Sequence, residues 1–396
     1  MKGFIERVIP ASEFGWPEFF LALYPIIMGY GYGMINMSII GLVILDVIYF
    51  SYRKITITKR DLLKTVIFLL VFVVIHEFFL FLMLDRVPSY FYSNIISYIV
   101  SIVSIPIIAP RVNYAKYESS INIVCLICII GLIYHVVVIS LGGTVSPIKL
   151  PFMPTLEKGA RLFSEVKRPT SFFWEPQSFV SFCMIPLCMA LLKRKFIWSA
   201  IIIFSILLST STTGIVFTFV VLALFMFSQK FSKKLFLLMF VSLALIFFLL
   251  TSTPIFQAGM DKLSQTTFDF NEDIRLINGP IIFKSLSLNE IIWGIPIATI
   301  NDYVDKKGVG VIYLEESGNL YVASIWLVLI KFGIIGAFLY LKMHIEAILK
   351  CKKLIIYVVP LILALFSNPD SIGGLFTFEF IFIYSYILYL KKSCIQ

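Results

Sequence analysis

Charged residues are scarce in this chain of 396 residues, where Asp, Glu, Lys and Arg together account for 14% and hydrophobic residues for 59%. An average soluble domain has about 25% charged and about 45–50% apolar residues. A water-soluble fold of this length has too little interior to bury the excess apolar surface. The composition therefore excludes a cytosolic enzyme, a secreted domain and a disordered chain, and it predicts an integral membrane protein.

Histidine and cysteine are also rare, with three and six residues. Cys125 and Cys128 form a CxxC pair inside an apolar run, without the second ligand pair that a structural zinc site needs. His76-Glu77 does not extend to the HExxH zinc motif, because Leu80 occupies the place of the second histidine. We therefore predict no metal site and no cofactor, and a buried structural pair at His76-Glu77.

Long apolar runs dominate the chain, and a transmembrane helix needs about 20 mostly apolar residues. The runs are 17–33, 34–50, 62–84, 93–110, 120–140, 174–192, 196–209, 213–228, 235–252, 320–341, 354–366 and 374–390. They predict an all-α polytopic membrane protein with about 12 transmembrane helices, built as one integral membrane domain over residues 1–396.

The positions of lysine and arginine predict the orientation. With both termini in the cytoplasm, every short cytoplasmic segment carries at least two positive residues, as the positive-inside rule requires. This distribution accounts for the net charge of +10, and we predict no nucleic-acid partner. Two outer segments, 141–173 and 253–319, exceed the length of about 12–15 residues above which loops usually carry function.

The first outer loop enters the sixth apolar run through Arg168-Pro169-Thr170-Ser171-Phe172-Phe173-Trp174-Glu175-Pro176. Proline suits the first position of a helix, so a helix with an outward, positive N-terminus is predicted to begin near Pro176. Arg168 precedes a proline and is biased towards an extended backbone. An extended arginine beside a helix N-terminus is suited to binding a diphosphate, and a solvated basic loop steadied by anionic lipid headgroups is the alternative of equal weight.

Two more helix N-termini are predicted to face outward. One follows Ser209-Thr210-Ser211-Thr212-Thr213-Gly214 and the other follows Glu315-Glu316-Ser317-Gly318-Asn319, and both stretches are rich in N-cap residues. The second outer loop also contains Arg275, for which a local salt bridge to the preceding acidic residues is the alternative. The arginines and the three capped N-termini together predict an anion site at the outer membrane face.

These patterns resemble those of the bacterial O-antigen polymerases (Wzy) and, more distantly, of the O-antigen ligases. The resemblance covers the layout of apolar runs and outer loops, and three stretches of sequence. In the stretch that begins at Arg168, Ser171 stands where the family usually has glycine. Gly318 stands where ligases often have histidine, which favours the polymerase. The stretches are Arg168 to Phe179, Ser209 to Gly214, and Arg275 with Trp293-Gly294, Asn319-Leu320-Tyr321 and Gly333-Ile334-Ile335-Gly336.

The resemblance implies a GT-C-like helical membrane fold in the bacterial inner membrane, with the active site and both large loops facing the periplasm. It implies metal-independent glycosyl transfer during lipopolysaccharide O-antigen biosynthesis. A glycan linked to undecaprenyl diphosphate would pass to a lipid-linked repeat unit. Membrane lipids surround such an enzyme, and a separate chain-length regulator protein is a typical partner of the family.

The resemblance also implies roles for individual residues. Arg168 and Arg275 would bind the diphosphate with Arg161 as a weaker third, and Glu175 would act as general base with Glu316 as the alternative. The remaining candidates would contact substrate. They are Ser178, Asn319, and the aromatic residues Phe172, Phe173, Trp174 and Tyr321, for which stacking on sugars and anchoring at the membrane interface are equally weighted.

Two other functions stay open at this point. A flippase or other transporter for lipid-linked oligosaccharide suits twelve spans, but the sequence shows no internal repeat and no matching pair of broken helices in its two halves. The notable cations also lie in outer loops rather than along a central cavity. The O-antigen ligase is the second alternative.

Overall fold

The structure of the chain is a computed structural model. It describes residues 13–32, 35–52, 60–82, 91–151, 153–154, 168–229, 274–295, 300–312, 320, 322–366 and 374–393. Over these residues the chain forms α1 (Trp16–Ile27), α2 (Met37–Tyr52), α3 (Arg60–Leu82), α4 (Phe91–Ile108), α5 (Tyr114–Ser140), α6 (Pro176–Leu192), α7 (Phe196–Leu208), α8 (Thr212–Gln229), α9 (Ile274–Ser285), α10 (Leu288–Trp293), α11 (Ile300–Lys307), α12 (Ser324–Lys350), α13 (Ile355–Ala364) and α14 (Gly374–Ser393).

The predicted all-α class is confirmed, because helices occupy eleven of the twelve apolar runs and the run 235–252 lies outside the described residues. A two-residue antiparallel ladder pairs β1 (Gly31–Tyr32) with β2 (Ile35–Asn36) and separates the first two runs. By length and composition, α5 and α12, each of 27 residues, are able to cross a membrane.

Helix α5 is apolar on its exposed face as well as on its buried face. It buries Val124 and Leu132 and exposes the large apolar residues Ile130, Tyr134 and Val137. A surface helix of a soluble protein has a polar face opposite its apolar stripe. The exposed face of α5 therefore suits an apolar surrounding better than water.

The described residues fall into two compact units, and the first contains residues from 1–38, 113–268 and 353–360. In it, α5 packs against α1, α6 and α7. Two polar contacts join α5 to the α6–α7 hairpin: Lys193 Nζ donates to Glu118 Oε2 at 2.6 Å, and Trp198 Nε1 donates to Asn122 Oδ1 at 2.8 Å. Glu118, Asn122 and Trp198 are buried, so each needs its partner, whereas Lys193 is half-exposed and reaches in to Glu118. The two contacts favour one register of the helices.

The second unit contains residues from 39–112, 269–352 and 361–396. Its centre is α12, which packs against α3, α9, α10 and α14. The predicted pair His76-Glu77 is confirmed as a buried structural pair on α3, with His76 Nδ1 2.9 Å from Glu77 Oε1.

Helix α12 is interrupted at Gly333, whose φ is 61°. Gly294, with φ of 89°, lies against this interruption, and Ile295 N donates to the Ile330 carbonyl at 2.9 Å. A Cβ on either glycine would overlap the backbone of the other segment. The two predicted glycine patterns therefore meet, because the absence of side chains lets α10 approach the break in α12.

The start of α12 differs from the sequence-based expectation. The stretch Glu315–Asn319 was expected to cap this helix, but the helix begins at Ser324, with Ala323 as N-cap and no side-chain cap bond. The expectation is wrong because the N-cap position falls at Ala323, whose backbone is extended. Glu316, Asn319 and Tyr321 themselves lie outside the described residues.

We expect Gly333→Ala to destabilise the purified protein by about 1–3 kcal/mol, since alanine is strained at this φ and its Cβ would meet the Ile292 carbonyl. Thermal unfolding in detergent measures the change. The control is Gly41→Ala in α2, where an added Cβ meets nothing within 4 Å, so helix propensity is expected to leave stability equal or slightly higher. Equal melting of the Gly333→Ala variant and the natural protein would contradict the tight approach at the break.

Candidate functional site

Arg168 is held by two hydrogen bonds to a single residue of the first unit. Its Nη2 donates to the Thr210 carbonyl at 2.9 Å and its Nε donates to Thr210 Oγ1 at 3.4 Å. Thr210 belongs to the stretch Ser209–Gly214, which lies 42 residues further along the chain. The structure therefore brings together two of the three sequence patterns that predicted an anion site.

Thr210 occupies the tight connection between α7 and α8. Its φ is +55°, a left-handed conformation that is costly for a threonine. On one side Ser209 closes α7, and on the other Ser211 Oγ accepts the Gly214 N–H at 3.3 Å. The predicted capping of α8 is thus confirmed at Ser211, and the strained turn between the two helices presents the Thr210 carbonyl to Arg168.

The residues after Arg168 are anchored to α5. His135 Nδ1 accepts the backbone N–H groups of Thr170 and Ser171, both at 3.2 Å. The Ser171 hydroxyl donates to the Cys128 carbonyl at 2.6 Å, and the Ile148 N–H donates to the Ser171 carbonyl at 2.8 Å. The turn that follows Arg168 is therefore satisfied by α5 and by the segment that leaves α5, rather than by solvent.

Ser171 has φ of +58° and is fully buried. Glycine adopts this left-handed conformation at little cost, so a serine at this position carries backbone strain that other contacts must offset. In this chain the serine hydroxyl bonds to Cys128, and Gly131 leaves room for it, since a Cβ on Gly131 would lie 2.7 Å from Ser171 Oγ. Cys128, Gly131 and His135 are spaced to lie on one face of α5, and this face receives the turn.

Glu175 is the N-cap of α6, with an extended backbone, and Pro176 takes the first helical position as predicted. Its carboxylate makes no capping hydrogen bond, so the helix does not engage it. Burial lowers the pKa of Arg168, and the negative charge of Glu175 opposes that shift. The guanidinium stays charged because an arginine pKa lies so far above neutrality, and the Arg168 and Glu175 charges interact at the N-terminus of α6.

Phe173 does not have either of its expected roles. It is 1% exposed and packs against Phe179 and Phe182 with ring centroids 6.1 and 5.7 Å away. A ring buried in this way reaches neither a sugar nor the membrane interface. Trp174 is half-buried beside Glu175 and retains access.

The structure describes only some of the other expected site residues. Ser178 is buried in the first turn of α6, where its N–H donates to the Glu175 carbonyl at 3.1 Å. Arg275 lies in the first turn of α9 in the second unit, and its side chain is outside the described part of the structure. Arg161, like Glu316, Asn319 and Tyr321, falls outside the described residues altogether.

The arrangement around Arg168 is suited to binding an anion. Arginine carries five N–H donors, and Thr210 engages only the Nε donor and the Nη2 group. Gly214 lets α8 pack closely on α6, since a Cβ there would lie 2.7 Å from Val180. The N-termini of α6 and α8 are therefore neighbours, and their backbone N–H groups add positive potential beside the guanidinium.

Sequence reasoning missed His135 and the bonding role of Thr210. Two weak sequence signals pointed to these residues. His135 follows Gly131 by about one helical turn, and Thr210 lies between two predicted N-cap residues. Neither signal specifies a partner 35 or 42 residues away.

No protein-family model, no curated protein and no solved structure matches the chain. The geometry around Arg168 is therefore the basis for the function proposed below. That geometry has three parts: an anchored arginine, a carboxylate that its own helix does not use, and two adjoining helix N-termini.

We expect His135→Ala to destabilise the first unit, because it leaves the buried N–H groups of Thr170 and Ser171 without an acceptor, at about 1–3 kcal/mol for each group. His135→Asn places an amide oxygen near the position of Nδ1 and is expected to restore most of the loss. Thermal unfolding of the purified protein measures both. Ile130→Ala, at an exposed position of the same helix, is the control, and equal melting of the His135→Ala and Ile130→Ala variants would contradict the anchoring.

Proposed function

We propose that this chain is an O-antigen polymerase of the bacterial inner membrane. It transfers a glycan from undecaprenyl diphosphate to a lipid-linked repeat unit, without a metal. The observation that carries the proposal is the pair of hydrogen bonds between Arg168 and Thr210, which hold a guanidinium beside Glu175 at the N-terminus of α6. A leaving diphosphate requires fixed positive charge, and this site supplies it.

In the proposed reaction, a hydroxyl of the acceptor sugar attacks the anomeric carbon of the donor sugar. The bond from that carbon to the diphosphate oxygen breaks, and undecaprenyl diphosphate leaves with the electron pair. Arg168 compensates the charge that develops on the leaving group through the N–H donors that Thr210 does not engage. Glu175 accepts the proton of the attacking hydroxyl, a role open to it because its carboxylate makes no capping bond.

The remaining assignments belong to the same proposal. Arg275 is the second diphosphate ligand and Arg161 a weaker third, with Glu316 as the alternative base. Ser178, Trp174, Asn319 and Tyr321 complete the substrate-binding set. A chain-length regulator protein is the proposed protein partner.

The proposed setting is a GT-C-like membrane domain with about 12 spans, both termini in the cytoplasm, and periplasmic loops at 141–173 and 253–319. Its support is the apolar length of α5 and α12 and the exposed apolar face of α5. Arg168 and the start of α6 then lie on the periplasmic side, where lipid-linked repeat units are polymerised.

We expect Arg168→Lys to lower polymerisation by about a hundredfold or more, because lysine lacks the planar set of donors that bridges Thr210 and a phosphate. Purified protein reconstituted with lipid-linked repeat units and analysed as a glycan ladder measures the rate. Arg194→Lys, at an exposed position after α6, is the matched control and is expected to polymerise normally. Long-chain glycan at natural levels from the Arg168→Lys variant would refute the assignment.

Deleting the gene separates the proposed function from its two alternatives. Loss of a polymerase leaves a single repeat unit on the lipopolysaccharide core. Loss of a ligase leaves the core bare, and loss of a flippase strands repeat units on the cytoplasmic side. Electrophoresis of the lipopolysaccharide, with the natural gene returned as control, shows which pattern occurs, and either of the latter two would overturn the polymerase proposal.

A further inference from the structure

Lys331 of α12 is a half-buried cation within the apolar run 320–341. The other two lysines of α12, Lys342 and Lys350, contact Glu346 at 3.7 and 3.2 Å. Among the described residues no carboxylate forms an ion pair with Lys331, whose Nζ donates instead to the hydroxyl oxygen of Tyr98 on α4 at 3.2 Å. A positive charge among apolar side chains is costly without an anion, so Lys331 is a candidate for binding one.

The contact between Lys331 and Tyr98 leaves three hydrogen-bond donors available. A lysine ammonium has three N–H donors and no acceptor, and a tyrosine hydroxyl has one O–H donor. Because the Tyr98 oxygen accepts from Lys331, its own O–H points to a further acceptor, and none of the described residues supplies one. Two N–H groups and one O–H group, on atoms 3.2 Å apart, are therefore available to a single ligand.

The positions of both side chains are fixed by their neighbours. The Ile330 carbonyl, directly before Lys331, accepts the Ile295 N–H at 2.9 Å at the break in α12. The ring of Phe332, directly after it, packs edge-on against the Tyr98 ring with the centroids 6.2 Å apart. Lys331 Nζ itself lies 5.7 Å from the centroid of the Tyr98 ring. A site whose groups are already ordered loses less entropy when a ligand binds.

Acidic residues on two helices that pack against α12 have other partners. Glu77 of α3 has its Oε1 2.9 Å from His76 Nδ1. Glu290 of α10 accepts from Lys307 at 3.1 Å and from the Tyr303 hydroxyl at 3.0 Å. Neither carboxylate neutralises Lys331, so the charge of this lysine is available to an anion from outside the chain.

We propose that Lys331 and Tyr98 form a binding site in the second unit for the phosphate group of an amphiphile. Phosphate oxygens accept several hydrogen bonds at once and supply the missing negative charge. Just beyond the break, α12 exposes Ile334 and Phe338, so a ligand with an apolar part suits this surface better than a free ion. A phospholipid headgroup and a lipid-linked diphosphate share this chemistry. The site is separate from Arg168, and its existence does not depend on the proposed function.

The test measures how much three probes raise the unfolding temperature of the purified full chain in non-ionic detergent, because a ligand that binds the native state stabilises it. The probes are dioctanoyl phosphatidylglycerol, farnesyl diphosphate and, as the probe without net charge, dioctanoyl phosphatidylcholine. We expect a rise that depends on Lys331 with phosphatidylglycerol, with farnesyl diphosphate or with both, and this result identifies the source of the phosphate. No such rise with either anionic probe, or an equal rise with phosphatidylcholine, would overturn the proposal.

Variants locate the binding. Lys331→Met removes the charge and keeps an apolar stem, and it is expected to weaken binding of the anionic probe by about tenfold or more. Lys331→Arg keeps the charge and is expected to restore most of the affinity. Lys342→Met, at a half-exposed position of the same helix, is the matched control and is expected to bind as the natural protein does. Equal binding by the Lys331→Met and Lys342→Met variants would reject the site.

Two further variants complete the design. Tyr98→Phe keeps the ring and removes the O–H donor, so it is expected to weaken binding by about threefold, and it tests the site even where Lys331→Met does not accumulate. Arg168→Ala separates this site from the candidate site of the first unit, and binding that depends on Lys331 is expected to persist in it. If binding is lost in Arg168→Ala and unchanged in Lys331→Met, this proposal fails while the proposed function stands.

Discussion

The candidate site depends on one constraint, the need to pair the backbone N–H groups of a turn that lies among apolar side chains. The backbone N–H groups of Thr170 and Ser171 are paired because both donate to His135 Nδ1. Arg168 lies at one end of this turn and Glu175 lies at the other. In an apolar environment an unpaired N–H is costly, so the turn has few other positions available. The histidine thereby determines where the arginine and the carboxylate lie.

Left-handed residues complete this arrangement. Ser171 and Thr210 both have φ near +55° to +58°, each at an energetic cost of about 1–3 kcal/mol. Both are held by specific bonds, Ser171 to α5 and Thr210 to Arg168. Strain of this kind persists where surrounding contacts over-determine the backbone, and two of the three left-handed non-glycine residues in the described part of the chain lie beside Arg168.

Glycines perform a different task in the two units. In the first, Gly131 and Gly214 leave room for a hydroxyl and for a neighbouring helix, which allows the turn and α8 to approach α5 and α6. In the second, Gly294 and Gly333 allow two backbones to touch at the break in α12. In each case glycine is required because a Cβ at that position would collide with the approaching segment.

Four features follow from local sequence: the helical class, the start of α6 at Pro176, the cap at Ser211 and the buried pair His76-Glu77. Each depends on neighbours within a few residues, through run length, proline geometry or a local hydrogen bond. The sequence was wrong about the cap of α12 and about Phe173, because extension of the chain before Ser324 and packing against Phe182 are not encoded in local propensity. The bonds from Arg168 to Thr210 and from the turn to His135 arise from packing of the whole unit, because they join residues 42 and 35 positions apart. Nothing in the immediate sequence neighbourhood of these residues specifies the partner.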